Sequence, residues 1–434
     1  MERVECIVVG GGLAGLSAAY GLAAAGREVM VLERGDYPGA KNVTGGRLYL
    51  EPLRSIYPEL WDDAPFERPV AREFVSMIGD RAETTLELAS RSFLEERPQS
   101  YTVLRARLDQ WLAERAMDKG AMVLPNMKVD ALLRDQASGA FGRVVGIRAG
   151  EDEIAADVVV VAEGVLGLLS SNAGLRSKPE AIHHALGFKE VIELAPQVIE
   201  DRWHLNPGEG AAQLFMGALT RNLMGGGFVY TNKESISFGL VIGMDQLRSH
   251  GGQFQSWQLL DEFKQLPCVR PLLAGGTVVE YSAHSIAEGG ITQVPKLFGD
   301  GYLLVGDTAG LSLNALLTVR GMDFAIASGY YAAQAAAEAI KRGDTSAAGL
   351  SGYETRLRRS FVLRDLETSK AIPQLMQNPR LFSHYPDAVC RLLTDLYTVG
   401  PDPARTISGR ILRAVRRDFL STATLKDLWS MRKV

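Results

Sequence analysis

The feature that most constrains the fold of this chain is a run of three glycines near its start, Gly10, Gly12 and Gly15. Residues 5–9 before the run are apolar and β-rich, which predicts a strand, and the small residues 16–25 after it predict a helix. Residues 28–32 predict a second strand, which stops at the acidic Glu33. This order of strand, glycine turn, helix, strand and acid favours a dinucleotide site over a plain βαβ unit.

Each residue type in this motif has its own physical task. Gly10 permits the tight turn, Gly12 lets backbone approach a pyrophosphate, and Gly15 lets the helix lie close against the sheet. The helix N-terminus favours a negatively charged group there. Glu33 is placed to accept hydrogen bonds from a ribose diol, and an acid at this position disfavours a 2′-phosphate. The motif alone does not separate FAD from NAD.

Composition excludes several other classes of protein. The 434 residues are enough for two or three subdomains, and 46% hydrophobic with 23% charged residues describes an ordinary folded chain. A net charge of −4 gives no global signature of nucleic-acid binding. Because the glycine motif starts at Gly10 and no apolar run approaches ~18 residues, we expect a cytoplasmic or peripherally membrane-bound protein.

Cysteine and histidine patterns predict no metal. Cys6, Cys268 and Cys390 are far apart and form no CxxC pair, so neither a disulfide framework nor an iron–sulfur cluster is expected. The six histidines show no HExxH or similar spacing.

The loop at 34–49 is rich in glycine and in donors. Lys41, Asn42, Thr44 and Arg47 provide positive charge and N–H or O–H groups without a carboxylate among them. Such a loop suits an anionic or carbonyl-rich ligand, and the alternative is a solvated surface loop with incidental charge.

A helix is predicted within residues 101–120, with an inner face that comprises Leu108, Leu112 and Met117. Arg105 and Arg107 stand at its start, where the helix dipole disfavours cations unless an anion is present. We therefore predict a phosphate or ribityl contact for Arg107, with an ordinary surface arginine as the alternative.

Two further stretches predict a second sheet. Alternating patterns from about 186 to 288 indicate a mixed or antiparallel sheet, and two strand-like pieces within 50–100 are assigned to it as well. Between these stretches, residues 157–162 predict a fully buried strand that is followed by a turn at Gly164.

The decisive segment for the cofactor lies near residue 300. Residues 302–305 predict a buried strand with Gly306 and Asp307 at its end, and 322–340 predict a long helix. Asp307 can hydrogen-bond a ribityl hydroxyl, and a helix that starts near Gly321 would direct N–H groups at the pyrimidine edge of a flavin. NAD has no second anchor about 300 residues from the first, so FAD is predicted.

Basic residues are concentrated at the end of the chain. Short helices are predicted within 341–434, and after residue 404 two acids, Asp418 and Asp427, accompany eight basic residues. This pattern suits an anionic membrane surface or a partner protein, with a solvated basic face as the alternative. The eight are Arg405, Arg410, Arg413, Arg416, Arg417, Lys426, Arg432 and Lys433.

Five segments together resemble the electron transfer flavoprotein:quinone oxidoreductases, most closely the short bacterial FixC type: GGGLAG, LERGDYPGAKNVTGGRLY, YTVLRARLDQWL, VVVVAEGV and GDTAGLSLNALLTVRGMD. The resemblance implies an α/β fold, with a glutathione-reductase-like FAD-binding Rossmann domain, an inserted α+β quinone-side or substrate-side domain, and a helical C-terminal region. The expected FAD domain comprises 1–170 and 295–345, the inserted domain 171–294, and the C-terminal region 346–434, with part of 50–100 joining the second sheet.

The resemblance also implies FAD contacts at Gly10, Gly12, Gly15, Glu33, Arg34, Lys41, Asn42, Gly46, Arg107, Gly164, Asp307, Gly321 and Met322. The predicted cofactor site is completed by Leu13, Ala14, Val43, Arg47, Val129, Ala162, Glu163, Gly306 and Gly310. No catalytic residue is predicted, because electron transfer between bound cofactors needs short distance more than an acid/base pair.

For partners, the resemblance implies an NADH-oxidising electron transfer flavoprotein heterodimer, a separate ferredoxin-like iron–sulfur subunit, quinone as acceptor, and a complex capable of electron bifurcation. Geranylgeranyl reductases, which reduce isoprenoid double bonds, rank second, because their usual cysteine after the second strand is replaced here by GAKN. Hydroxybenzoate-type monooxygenases rank third, because their Asp-Gly is Glu163-Gly164 here. The remaining alternative is a protein that only binds a partner or ligand and in which FAD has a purely structural role.

Overall fold

The computed structural model describes residues 2–41, 46–95, 97–135, 142–252, 254–401 and 406–431. The chain forms two compact units, and each is built from three separate segments. The first unit comprises Met1–Glu67, Pro98–His183 and Ser285–Lys370. The second unit comprises Arg68–Arg97, His184–His284 and Ala371–Val434.

The strands, in chain order, are β1 Glu2–Val9, β2 Val29–Leu32, β3 Arg47–Tyr49, β4 Val70–Ile78, β5 Glu83–Ala89, β6 Ser100–Thr102, β7 Met122–Leu124, β8 Ala131–Asp135, β9 Arg143–Ala149, β10 Asp152–Val161, β11 His184–Glu193, β12 Gly210–Gly217, β13 Gly225–Thr231, β14 Ser235–Gly243, β15 Thr277–Ala287, β16 Phe298–Gly299, β17 Tyr302–Leu304, β18 Leu313–Asn314 and β19 Val319–Arg320.

The α-helices are α1 Leu13–Ala24, α2 Arg105–Asp118, α3 Leu168–Asn172, α4 Pro196–Arg202, α5 Met244–Ser249, α6 Ser256–Gln265, α7 Arg270–Leu273, α8 Met322–Arg342, α9 Ala347–Leu350, α10 Gly352–Arg359, α11 Phe361–Thr368, α12 Ile372–Met376, α13 His384–Tyr397, α14 Ile407–Ala414 and α15 Thr422–Met431. Among the helices described, none has the length and hydropathy needed to span a bilayer.

The first unit is organised around a sheet in the order β16-β17-β10-β1-β2-β7, with β9 and β8 added antiparallel beside β10. The neighbours from β17 to β7 are parallel. Continuous apolar runs explain the parallel core, because strands covered by helices on both faces need apolar side chains on both. The run Val158–Val161 in β10 is fully buried.

Helices α1 and α8 pack closely because their contact is made of small residues. A Cβ on Gly329 of α8 would overlap the backbone oxygen of Ala14 in α1. Ser17 of α1 also donates its hydroxyl hydrogen to the Ile326 oxygen over 2.7 Å. The predicted strand–turn–helix–strand unit is therefore present, and its helix lies directly against the long helix predicted near residue 322.

The second unit contains a seven-stranded sheet in the order β15-β11-β14-β13-β12-β4-β5. β12 and β4 are parallel, whereas β11–β14, β13–β14, β12–β13 and β4–β5 are antiparallel. The prediction of a mixed or antiparallel second sheet, joined by strands from residues 50–100, is confirmed, and the sheet is mixed. Its core includes Phe188, Trp203, Phe238 and Phe263.

The limits of the two units differ from the predicted domain boundaries. Residues 346–370 belong to the first unit, where fully buried Tyr353 of α10 donates its hydroxyl hydrogen to the Leu304 oxygen over 2.8 Å. The later helices belong to the second unit, where the Cys390 thiol of α13 lies 3.3 Å from the Met77 oxygen. The C-terminal region, predicted as one region, is therefore divided between the two units.

One predicted core position in α2 is wrong. Leu108 and Leu112 are buried, but Met117 is 46% exposed. The other buried residues of α2 are Asp109, Trp111, Ala113 and Ala116. The buried face of α2 therefore follows Leu108, Trp111, Leu112 and Ala116 rather than ending at Met117.

Candidate functional site

The turn between β1 and α1 is built so tightly that only glycine fits at two positions. Gly10 has a φ of +111°, and a Cβ there would overlap the Ala162 oxygen at the end of β10. A Cβ on Gly15 would overlap the Gly10 oxygen. The backbones of the turn, the helix and the neighbouring strand are therefore in direct contact, as the glycine motif predicts.

The first turn of α1 is open to an anion. Gly12 is the N-cap and has no side chain to accept from the helix, and no acidic residue lies in the first turn. The first N–H groups of an α-helix have no partner within the helix. Those of Leu13, Ala14 and Gly15 are placed in this turn, so the helix end can bind a phosphate group.

Glu33 lies at the end of β2, and its carboxylate faces the glycine turn. One oxygen accepts the Gly11 N–H over 2.7 Å, and the other accepts the Gly35 N–H over 2.6 Å. The side chain is buried. A carboxylate has about four lone-pair positions, so these two bonds fix its orientation and leave acceptor capacity for a hydroxyl pair.

The end of β10 supplies a second edge of the site. Gly164 has a φ of +85° with open space beside it, and its N–H donates to Thr308 Oγ1 over 2.9 Å. The Glu163 carboxylate accepts the N–H groups of Leu169 and Ser170 over 2.7 and 2.6 Å. Of the predicted residues here, Glu163 thus uses its side chain to cap α3, whereas Gly164 is part of an open turn.

The end of β17 supplies the third edge. Gly306 has a φ of +58°, and a Cβ there would lie 2.7 Å from the Ala14 side chain. Its N–H donates to Ser328 Oγ of α8 over 2.9 Å. The Gly310 N–H closes the following turn by donating to the backbone oxygen of Asp307 over 3.0 Å. The structure thus brings Gly306 and Asp307 to the first turn of α1, across almost 300 residues of sequence.

Asp307 has two arginines near its enclosed carboxyl group. Burial raises the pKa of Asp307 above its ordinary value, while the charges of Arg105 and Arg176 act in the opposite direction. Arg105 forms two 2.8 Å hydrogen bonds to Asp109, and Arg176 donates to the Thr308 oxygen over 2.8 Å. The site therefore combines one partly buried acid with two cations whose positions are held by other groups.

Of the two arginines at the start of α2, the sequence analysis selected Arg107, whereas the structure places Arg105 near Asp307. The side chain of Arg107 is 68% exposed and lies 3.4 Å from Glu67, so its predicted cofactor contact stays a prediction. Arg105 begins α2 and has a side chain only 10% exposed. The sequence signal for Arg105 was its position at the start of a helix, where the dipole disfavours a cation, but Arg107 shares that signal. Arg176 lies in an ordinary polar stretch and gave no signal.

The remaining predicted contacts lie in the loop after β2, in β3 and before β8. Gly46 accepts the Val103 N–H over 3.0 Å, and Arg47 donates to Ser100 Oγ over 3.0 Å. Arg34 and Lys41 are exposed, and Val129 is partly buried against the core. Asn42 and Val43 lie outside the described residues.

The start of α8 forms the last part of the site. Gly321 is the N-cap and has no capping side chain, and Met322 opens the helix. Arg320 lies 2.6 Å from Asp323 in the first turn and also pairs with Asp365 of α11. This ion-pair cluster fixes the position of the helix N-terminus.

The described residues fit a dinucleotide that extends from the glycine turn towards α8. Gly10 after β1 and Gly306 after β17 lie where a Cβ would collide, Gly164 after β10 has open space beside it, and two helix N-termini have no capping side chain. No group of three or more metal-ligating side chains occurs among the residues that the structure describes.

Comparison with protein families gives three matches. Residues 5–97 match the FAD dependent oxidoreductase family, residues 184–286 match "ETF-QO, ubiquinone-binding", and residues 372–434 match the ETF-QO/FixC family C-terminal domain. The cofactor is therefore FAD, and the protein is an oxidoreductase.

Curated relatives align along nearly the whole chain. The chain is 44% identical to the probable electron transfer flavoprotein-quinone oxidoreductase YdiS of Escherichia coli, over 95% of this chain and 94% of the relative. It is 42% identical to FixC of Salmonella typhi over 95% of each chain. FixC of Bradyrhizobium diazoefficiens is 40% identical over 93% of this chain and 92% of the relative.

Solved structures share the fold at low identity. A geranylgeranyl bacteriochlorophyll reductase-like protein of Thermoplasma acidophilum has a TM-score of 0.73 at 21% identity, covering 99% of this chain and 100% of that chain. The myxobacterial halogenase CndH has a TM-score of 0.61 at 20% identity, covering 83% and 79%. These similarities support a mixed α/β flavoenzyme fold.

Proposed function

Because the chain belongs to the electron transfer flavoprotein–quinone oxidoreductase family, in its FixC branch, we propose that its flavin accepts electrons from an electron transfer flavoprotein and passes them to quinone. The observation that carries this proposal is the 44% identity to YdiS over 95% of the chain. The FixC and YdiS relatives align with the strands of both units, so the proposal concerns the whole protein.

We assign the two units complementary roles. The first unit, with its parallel sheet and three glycine-rich strand ends, is proposed as a glutathione-reductase-like FAD-binding domain. The second unit is proposed as the inserted quinone-side domain, since the ubiquinone-binding match at 184–286 coincides with β11 to β15.

FAD, when bound, supplies the ring that stores and releases electrons. The protein's task is to hold it. The α1 N-terminus binds the pyrophosphate, Glu33 accepts from the ribose, and Asp307 accepts from a ribityl hydroxyl. The N–H groups at Gly321 and Met322 face the pyrimidine edge, where a helix N-terminus favours negative charge. No proton donor or acceptor is needed for these binding roles.

The proposed donor complex has three further features. An NADH-oxidising heterodimer of the electron transfer flavoprotein type delivers the electrons, and the complex bifurcates them. A separate ferredoxin-like subunit carries the iron–sulfur centre. The three cysteines of this chain support a separate subunit, because they are free and far apart in sequence.

The C-terminal helices are proposed to contact the membrane in which quinone dissolves, with the protein peripheral on its cytoplasmic face. Leu425 and Leu428 of α15 are 59% and 56% exposed. Exposed Arg413 and Arg416 lie in the preceding helical segment. Exposed apolar side chains next to basic ones suit an anionic lipid surface, at about 1 kcal/mol per basic residue.

Ion pairs also connect the end of the chain to other residues of the second unit. Asp418 lies 2.9 Å from Arg391, and Asp427 lies 2.8 Å from Arg380. Removing the segment would break these ion pairs, so surface substitution is the sharper test. Leu425→Ser with Leu428→Ser should reduce flotation with anionic liposomes and leave FAD content unchanged. If liposome binding is retained but recovery of the partner flavoprotein falls, the surface binds protein rather than lipid.

Electron transfer is tested with purified proteins. The FAD-loaded chain should be reduced by a reduced electron transfer flavoprotein and reoxidised by a soluble ubiquinone analogue, both followed by flavin absorbance. Gly12→Val, which fills the space for the pyrophosphate, should lose FAD and activity. Gly400→Val is the matched control, because a Cβ at Gly400 meets open space. A reduced chain that quinone does not reoxidise would overturn the proposal, and reduction of an isoprenoid double bond would favour the geranylgeranyl-reductase alternative.

A further inference from the structure

Arg320 directly precedes the N-cap of α8, and its guanidinium pairs with carboxylates of two helices of the first unit. Its side chain is only 14% exposed. Nε and Nη2 lie 2.7 and 2.6 Å from Oδ2 of Asp323, in the first turn of α8. Nη1 pairs with Asp365 of α11. The arginine therefore connects the start of α8 to α11 through charge.

Three aromatic rings lie around the same guanidinium. Its central carbon is 4.7 Å from the ring centroid of Phe324, 5.3 Å from that of Phe361 and 6.0 Å from that of Tyr49. Aromatic faces attract a cation. They also keep water away from it, so the interaction of Arg320 with a nearby charge is screened less than it would be in bulk solvent.

The partner carboxylate, Asp323, is more deeply buried than Arg320. It lies in the first turn of α8 and is 1% exposed. Burial raises the pKa of Asp323, whereas the charge of Arg320 and the N–H groups of Asp323 and Phe324 act in the opposite direction. A carboxylate at a helix N-terminus compensates the positive end of the helix dipole. Arg320 in turn compensates this carboxylate.

Contacts of α8 place this ion pair beside the glycine turns of the proposed FAD site. A Cβ on Gly306 would lie 2.7 Å from the Ala14 side chain and 3.6 Å from the Ala325 side chain. Ala14 belongs to the first turn of α1, and Ala325 belongs to the first turn of α8. The Ala325 N–H donates to the Gly321 oxygen over 2.8 Å. The first turns of both helices therefore border the same glycine, and Arg320 directly precedes the second of them.

Charge at this helix end matters because a flavin ring changes its charge on reduction. Two electrons and one proton convert the neutral ring to an anion, which a positive helix N-terminus stabilises. Resting on the FAD site proposed above, we propose that Arg320 is a positioning residue that neutralises Asp323, keeps the α8 N-terminus positive towards the flavin and so raises the flavin's reduction potential. Without the arginine, the uncompensated carboxylate would disfavour the reduced ring.

Substitutions of opposite charge test this role in the FAD-loaded full chain. Arg320→Gln should bind reduced FAD about tenfold more weakly relative to oxidised FAD, which lowers the two-electron midpoint potential by about 30 mV. Asp323→Asn removes the carboxylate and keeps its size, so it should raise the midpoint potential by a similar amount. Arg320→Lys keeps the charge and should remain closer to the wild type than Arg320→Gln. Spectroelectrochemical titration of the flavin absorbance at neutral pH measures the midpoint potentials.

Asp365→Asn is the matched control, because it breaks the ion pair of Arg320 with α11 but leaves the pair with Asp323 in place. The Asp365 side chain is 37% exposed, so solvent screens much of its charge. The midpoint potential should not fall in this variant. A purely structural role for Arg320 would make Asp365→Asn and Arg320→Gln behave alike, with both melting temperatures lowered and both potentials unchanged or shifted in one direction.

The outcomes separate this inference from the site on which it rests. A wild-type chain that binds no FAD overturns the proposed site, and this inference with it. A wild type that binds FAD overturns the inference alone if Arg320→Gln and Asp323→Asn have the wild-type potential or shift it in the same direction. If Arg320→Gln does not fold or does not retain FAD, Asp323→Asn decides the question, and a potential equal to or below that of the wild type overturns the inference.

Discussion

Gly306 at the end of β17 lies against Ala14 in the first turn of α1, so closely that a Cβ on Gly306 would be 2.7 Å from the Ala14 side chain. This contact joins the first glycine turn to the strand end that carries Asp307. Two parts of the proposed FAD site that are remote in sequence are therefore in direct contact, and a single added methyl group at Gly306 would disturb that contact.

Gly306→Ala should lower both thermal stability and FAD retention. Its φ of +58° costs about 1 kcal/mol for a residue with a Cβ. The overlap with Ala14 adds about 1–3 kcal/mol. Gly343→Ala is the matched control, because Gly343 has a φ of +69° with nothing within 4 Å. The melting temperature and the flavin-to-protein absorbance ratio check this, and equal behaviour of the two variants would contradict the role given to the contact.

Asp307→Ala should weaken FAD binding about 10- to 100-fold, because a hydrogen bond to a charged group contributes about 1.5–3 kcal/mol. The variant also removes the carboxylate on which the charges of Arg105 and Arg176 act. Flavin fluorescence quenching on reconstitution of the apoprotein measures the change in dissociation constant. The exposed Asp152→Ala variant should bind FAD as the wild type does. Unchanged affinity in Asp307→Ala would remove this residue from the proposed site.

NADH alone should reduce the bound flavin slowly. The single glycine motif of the βαβ unit is occupied by FAD in the proposed arrangement, and the sequence contains no second GxGxxG for a nicotinamide cofactor. Stopped-flow absorbance with NADH, with and without an electron transfer flavoprotein, measures the difference. Rapid reduction without the partner would support an independent reductase.

Glu288, which directly follows β15, should make the free energy of unfolding fall as pH rises, because burial raises its pKa. Its folded-state pKa of about 7 exceeds the ordinary value of 4.5, so the folded protein binds the proton more tightly than the unfolded chain does. The resulting stabilisation is complete below about pH 4.5 and is lost as pH rises to about 7, with a slope of at most ~1.4 kcal/mol per pH unit. Melting temperatures of wild type and Glu288→Gln between pH 5 and 8 should therefore converge or cross in favour of the variant at high pH. Parallel curves would contradict the shifted pKa.

Local patterns were sufficient for the secondary structure near the cofactor. The apolar runs of β1 and β10 are continuous because both faces of the sheet are covered, and this is visible in sequence alone. Alternating patterns likewise predicted the second sheet, including β4 and β5. The predicted domain limits differed from the observed units because residues 346–434 contain short helices of similar composition, and only their packing partners assign them to one unit or the other.

Residues that act through distant neighbours were missed. Arg105 and Arg107 share the same helix start, and only the direction of each side chain separates the arginine near Asp307 from the exposed one. Glu163 was predicted as part of the cofactor site, and only the structure shows that its carboxylate also caps α3. The raised pKa of Glu288 was not predicted, because nothing in the neighbouring sequence distinguishes an acid whose carboxyl group is enclosed by protein from a solvated acid.

By itself, the sequence determined the βαβ unit, the positions of its glycines and the acid at Glu33, because turn geometry and strand periodicity depend on neighbouring residues. The tertiary structure alone decided that Gly306 contacts Ala14, that Arg105 and Arg176 act on the pKa of Asp307, and that burial raises the pKa of Glu288. The physical reason is that burial and electrostatic environment are set by groups hundreds of residues away, so they exist only once the chain has packed.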